Sequence, residues 1–187
     1  KAYLSPGEAF SGGTLARDVM FLECLGRSTN CPTHLISAVR TSNNEHKNWV
    51  RHKLRSLLGN LCDLRVTVWG LTYKPGTDTL RRSGSVELCE WLDQQGAMVR
   101  AHDPAIKVLP EHLSGKFELA FDPILALKDA SALVVGTAWP DYRSLDADAV
   151  VSHMMKPIVI DPKRFLAKTL GDDPRIQYIT IGKQKRI

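Results

Sequence analysis

The chain has 187 residues, of which 43% are hydrophobic and 24% charged, so it can form one large or two small globular domains. No apolar run reaches the roughly 20 residues that span a bilayer. The N-terminus, KAYLSPGEAF, lacks the charged region and apolar core of a secretory signal, so a cytoplasmic protein without a membrane partner is expected. The net charge of +5 favours an anionic partner, but the cations are scattered except at Lys183, Lys185 and Arg186, and nucleic acid is not expected. The cysteines, Cys24, Cys31, Cys62 and Cys89, form no C-x-x-C pair; buried reduced thiols are expected, and no metal.

Residues 1–13 read as loop. A helix is expected from Thr14 as N-cap, with Leu15, Val19, Leu22 and Leu25 as its apolar stripe and Gly26 as its stop. One long helix is expected over Thr33–Leu58, which contains no Gly or Pro and would be nearly ~40 Å long. Its polar middle, Thr41 to His46, suits a helix that bridges domains or builds a dimer interface; a simple helical layer is the plainer alternative.

From Asp63 the pattern alternates. Strands are expected at Arg65–Trp69, Met98–His102, Ala132–Gly136, Ile158–Ile160 and Gln177–Ile181. Helices are expected at Ser83–Gln95, Pro123–Asp129, Asp146–Met155 and Pro162–Leu170. Short strands joined by helical crossovers imply an α/β fold: a mainly parallel, Rossmann-like sheet with helices on both faces. The expected division is 1–62, loop and central helices, and 63–187, the α/β domain.

The segment GLTYKPGTDTLRRS, Gly70 to Ser83, carries the chemistry best. It follows a strand and precedes a helix, and it holds Lys74 and Arg81. Ligands of open α/β sheets bind at such carboxyl-terminal loops. A lysine and an arginine there suit a phosphate, although an ordinary loop with solvated cations fits the same residues. No G-x-G-x-x-G follows a strand, and P-loop, G-x-S-x-G and H-E-x-x-H motifs are absent.

Several segments, in order, resemble the UDP-glucose/GDP-mannose dehydrogenases, which oxidise a nucleotide-sugar alcohol to a uronic acid. YLSPGEAFSGGTLARDV resembles the active-site loop, PGFGFGGSCLPKDV. Ser42-Asn43-Asn44 sits in what resembles the central helix. GLTYKPGTDTLRRS resembles GLAFKPxTDDxRES. His102-Asp103-Pro104 resembles a YDP at a strand end, ASALVVGTAWPDYRSLD resembles ADALVxxTEWPEFRxLD, and VIDPKRFL resembles VVDGRN/R.

The resemblance implies a three-part protein: a Rossmann domain for NAD, a dimerising helix, and a C-terminal domain for the nucleotide diphosphate. This chain resembles the last two parts, so NAD is expected for the full-length protein and no cofactor for this chain alone. A UDP- or GDP-sugar and a homodimer through the 33–58 helix are the implied partners, and polysaccharide biosynthesis the implied context.

By the same resemblance, substrate binding falls to Tyr3, Leu4, Ser5, Phe10, Gly12, Lys74, Arg81 and Lys163. Asp18 matches an aspartate that orients water or the catalytic lysine. The family's nucleophilic cysteine lies four residues before that aspartate, where this chain has Thr14. A threonine hydroxyl is far less nucleophilic than a thiolate without an adjacent base. A catalytically altered or inactive nucleotide-binding or assembly module is therefore the alternative reading. Arg82 stands for the family's glutamate and Pro162 for a glycine.

Overall fold

The computed structural model describes residues 7, 9–10 and 13–182. Its centre is a six-stranded sheet in the order β3-β2-β1-β4-β5-β6: β1 Arg65–Trp69, β2 Met98–His102, β3 Glu118–Leu119, β4 Ala132–Val135, β5 Ile158–Ile160 and β6 Gln177–Ile179. Every pairing is parallel. The α/β expectation is met, with one short strand, β3, added and two strand ends shortened.

Both faces of the sheet are covered, and successive side chains of each strand enter opposite cores. Val66, Val68, Ala132, Val134, Ile158 and Ile160 belong to one core, with Val86, Cys89 and Leu92 of α4 (Gly84–Gln94). Leu54 of α3 (Trp49–Leu58) is fully buried in that core. Trp69, Leu133, Val135 and Val159 point to the other face, against Val150 of α5 (Ala147–His153) and Tyr142, Leu166 and Leu170.

The expected helix over 33–58 is two helices, α2 (His34–Lys47) and α3, separated at Asn48. The Asn48 side chain donates to the Asn44 carbonyl at 3.3 Å and accepts from Arg51 at 3.2 Å, so it competes locally with the helical ladder. The expected helix at 162–170 is a run of turns. Arg164 has φ +57°, and the amide of Leu166 donates to Asp161 Oδ2 at 2.7 Å instead of to a helical carbonyl. At 123–129 only a 3-10 turn forms, Leu125–Leu127; Asp122 Oδ1 caps it by taking the amides of Ile124 and Leu125 at 2.8 Å, and the left-handed Asp129, φ +60°, ends the run.

Helix α1 spans Gly13–Ser28, so Thr14 lies inside it rather than at its cap, and Gly26 does not stop it. The face turned inward is Val19, Glu23 and Gly26, so of the expected stripe only Val19 is buried and its three leucines are not. Gly26 fits because a Cβ there would meet the Cys31 carbonyl oxygen at 2.8 Å. Leu15, Leu22 and Leu25 are 53%, 42% and 45% exposed, and Met20, Phe21 and Leu35 are exposed with them. Buried Glu23 is paired with Arg40 of α2 at 2.8 Å. The cysteine expectation fails for three thiols: Cys24, Cys31 and Cys62 are exposed and only Cys89 is buried. Cys24 falls outside the inward face of α1, and Cys62 lies in the turn before β1, where the neighbouring Asp63 carboxylate pushes the thiol pKa up.

Candidate functional site

The chain leaves β1 to build β2 and β3 on one side and then crosses back to build β4 on the other. The β1 and β4 loops therefore part at their carboxyl ends, which is where open α/β sheets place a ligand. A cavity of about 310 Å³ lies there, lined among others by Thr72, Ser85, Gly136, Thr137, Trp49 and Lys163. The first turn of α4 joins its wall, with Ser83 as N-cap accepting from the Ser85 amide at 3.2 Å and the Val86 amide at 3.4 Å. Glycine is required on both sides of the crevice. Gly70 has φ +86°, and a Cβ there would fall 2.5 Å from the Thr137 nitrogen.

The loops are tied behind the cavity. Asp103, which follows β2 and is 2% exposed, accepts at Oδ2 from the amides of Leu71 (2.7 Å) and Thr72 (2.9 Å). The same oxygen accepts from the Thr72 hydroxyl (3.0 Å) and Trp139 Nε1 (3.1 Å). Its Oδ1 accepts from the Ala105 amide at 2.9 Å. Trp139 Nε1 also reaches Thr72 Oγ1 at 3.1 Å, and the Thr137 hydroxyl donates to the Thr72 carbonyl. Beneath this, the Tyr142 hydroxyl donates to the His102 carbonyl at 2.9 Å and lies 3.1 Å from His102 Nδ1, and its ring stacks on Trp69. Burial lowers the His102 pKa, with the Asp103 charge opposing it, so the ring stays neutral near pH 7.

The segment before α1 reaches the cavity from the other side, where Ala9 and His46 line it. Asn43 of α2 clamps Phe10: Oδ1 accepts the Phe10 amide at 2.9 Å and Nδ2 donates to its carbonyl at 2.8 Å. His46 Nε2 lies 2.8 Å from the Gly7 carbonyl and can donate to it. Polar residues toward the C-terminal end of α2 thus hold a loop.

The expected site residues separate. Lys163 lines the cavity beside buried Pro162. Arg81 lines a second cavity of about 550 Å³, with Lys107 and His112. Lys74 is exposed and lines neither. Thr14 and Asp18 lie exposed on the first turns of α1, with Asp18 3.4 Å from Arg17. Arg82 reaches the start of α1, its guanidinium filling the space beside Gly13. Tyr3, Leu4, Ser5 and Gly12 lie outside the described residues.

Sequence reading missed Asp103, Thr137 and Asn43 as parts of this architecture. The strand-end His102-Asp103-Pro104 was a signal for the first, and the polar middle of a helix for the last. For Thr137 the signal was its match to the threonine of the TEWPEF-like segment, while its role depends on Gly70 lying opposite.

A dinucleotide does not fit the β1 loop. That fold needs a tight glycine turn opening straight into a helix, and here residues 70–83 intervene before α4. Among the described residues no cluster of His, Cys, Asp and Glu could hold a metal ion, and no helix is long and apolar enough to cross a membrane.

A UDP-glucose 6-dehydrogenase of Rickettsia bellii is 28% identical over 186 residues, which is 98% of this chain and 43% of the relative. The UDP-glucose 6-dehydrogenase TuaD of Bacillus subtilis is 27% identical over 184 residues, 98% of this chain and 40% of the relative. The solved UDP-glucose dehydrogenase of Pyrobaculum islandicum is similar at TM-score 0.76 and 27% identity, covering 94% of this chain and 38% of that one. The chain therefore spans less than half the length of the relatives it matches. The model of the UDP-glucose/GDP-mannose dehydrogenase family, UDP binding domain, matches residues 67–168. That segment runs from β1 through the cavity loops to beyond Lys163, and the chain belongs to this family through its UDP-binding domain.

Proposed function

We propose that this chain supplies the nucleotide-binding half-site of an NAD-dependent nucleotide-sugar 6-dehydrogenase acting on a UDP- or GDP-sugar. The observation that carries this reading is the cavity at the β1/β4 crevice, whose wall from Thr72 to Lys163 belongs to the segment matched as a UDP-binding domain. A diphosphate there would meet the first turn of α4, beside the Ser83 cap, and the charge of Lys163; a helix start favours phosphate. Lys74 and Arg81 would close over the nucleotide from the β1 loop. NAD, where it serves the reaction, is held outside these residues and supplies hydride acceptance when bound.

Asn43 and His46 hold the segment that precedes Thr14, which stands at the position of the family's cysteine. Asp18 would orient water or a lysine beside it, Tyr3, Leu4 and Ser5 would wrap the diphosphate, and Phe10 and Gly12 would complete the substrate loop. A threonine cannot supply the thiolate, so turnover by the isolated chain is not expected. The relatives named above are dehydrogenases, which does not favour the alternative of a pure assembly module. The exposed apolar face of α1 and α2 supports a homodimer through these helices, a second part of the same proposal.

Calorimetric titration of the 187-residue chain with UDP and with GDP tests the site. Binding of one of them is expected, with affinity falling about tenfold in Lys163→Ala, equivalent to about 1.4 kcal/mol. No binding by the unaltered chain sinks the reading. Unchanged affinity in Lys74→Ala and Arg81→Ala removes those two residues from the site.

A further inference from the structure

We infer that Asp103 is the positioning residue of the cavity: one buried carboxylate that locks the loops after β1, β2 and β4 into the arrangement a ligand meets. The inference rests on the nucleotide reading of the cavity. Asp103 itself lines no part of the cavity. It acts through Thr72, which does, and through Trp139, which joins the loop carrying Thr137.

The geometry is that of a strut. Oδ2 gathers donors from two loops that belong to strands on opposite sides of the switch point: Leu71 and Thr72 after β1, and Trp139 after β4. Oδ1 ties the same carboxylate to its own loop through Ala105. Only an ionised carboxylate accepts all five bonds, since it offers acceptors alone. The Thr72 hydroxyl spends its proton on Asp103, so its lone pairs remain to accept Trp139 Nε1. The direction of this hydroxyl, at the cavity wall, is thus set by a residue outside the cavity. Removing the carboxylate leaves buried donors unpaired and lets the two walls move independently.

Substitution by asparagine keeps the shape. Its single oxygen can face Leu71, Thr72 and Trp139, with the amide NH₂ set against the Ala105 N–H. Alanine abolishes every bond. The two variants should therefore differ in grade rather than in kind.

The test records ¹H–¹⁵N spectra of the 187-residue chain, its Asp103→Asn and Asp103→Ala variants, with the Trp139 indole resonance assigned from Trp139→Phe. UDP is titrated into each folded protein. The Trp139 indole N–H resonance is expected to move strongly in Asp103→Ala and weakly in Asp103→Asn, while those of Trp69 and Trp91 hold. UDP affinity is expected to fall about tenfold in the alanine variant and to be largely restored by asparagine. If Asp103→Ala does not fold, Asp103→Ser, whose single short hydroxyl cannot serve both loops, takes its place: an unmoved Trp139 resonance with unchanged affinity overturns the inference. An unaltered chain that binds no UDP overturns the nucleotide reading instead, and the indole shift then still reports whether Asp103 ties the loops.

Discussion

A Cβ on Gly136 would stand 2.8 Å from the carbonyl oxygen of Gly70. The two glycines, at the ends of neighbouring strands, leave no room for a side chain between the walls of the crevice. Gly136→Ala would also collide with Ser85 Oγ, near the start of α4. We expect Gly136→Ala to cost about 1–3 kcal/mol, the usual range for overpacking. Gly76, in the same β1 loop, is the control: it has φ +79° but nothing within 4 Å of an added Cβ. Its alanine variant should lose only the backbone term, about 1–2 kcal/mol. Urea unfolding midpoints compare them, and equal losses would show that the crevice wall relaxes freely.

The Phe10 backbone depends on Asn43 for both its polar groups. Asn43→Ala should raise the amide exchange rate at Phe10 while leaving β1 and β4 unchanged, since each hydrogen bond is worth about 0.5–1.5 kcal/mol. Exchange followed by mass spectrometry or NMR reads this directly. Unchanged protection at Phe10 would mean that contacts other than Asn43 hold the segment.

The pairing of α1 with α2 should weaken in acid. Burial raises the Glu23 pKa, but hydrogen bonds from Ser37 and Arg40 outweigh burial and hold it below the ordinary value of 4.5. A lowered folded-state value means the contribution is complete above pH 4.5 and is lost as pH falls through the folded pKa. Thermal melts recorded in steps below pH 4.5 should show this loss in the unaltered chain and a shallower one in Arg40→Ala. Identical slopes would place the acid sensitivity elsewhere.

The strands were the easiest part to read, because burial on both faces leaves short, nearly continuous apolar runs such as Ala132–Val135. Helices failed where a side chain captured a backbone amide, as Asp161 does with Leu166, and where the backbone turned left-handed, as at Arg164 and Asp129. Local pattern counts hydrophobic spacing and is blind to such competition. The inward face of α1 was misread for another reason: its leucines are exposed, and Glu23 and Gly26 are buried, because α2 approaches closely there. Of the site, Lys163 could be placed by resemblance, whereas the role of Asp103 emerged only once strands far apart in sequence were seen side by side.

The two walls of the cavity come from strands paired by Trp69 with Val135, residues separated by an entire crossover through β2 and β3. No hairpin or local fragment can assemble it, since all six strands are parallel. The crevice therefore exists only when the central pairing is complete, and partly folded chains offer a ligand nothing to hold. Whatever occupies it acts as a sensor of finished folding, adding about 1.4 kcal/mol of stability for each tenfold rise in concentration above its dissociation constant.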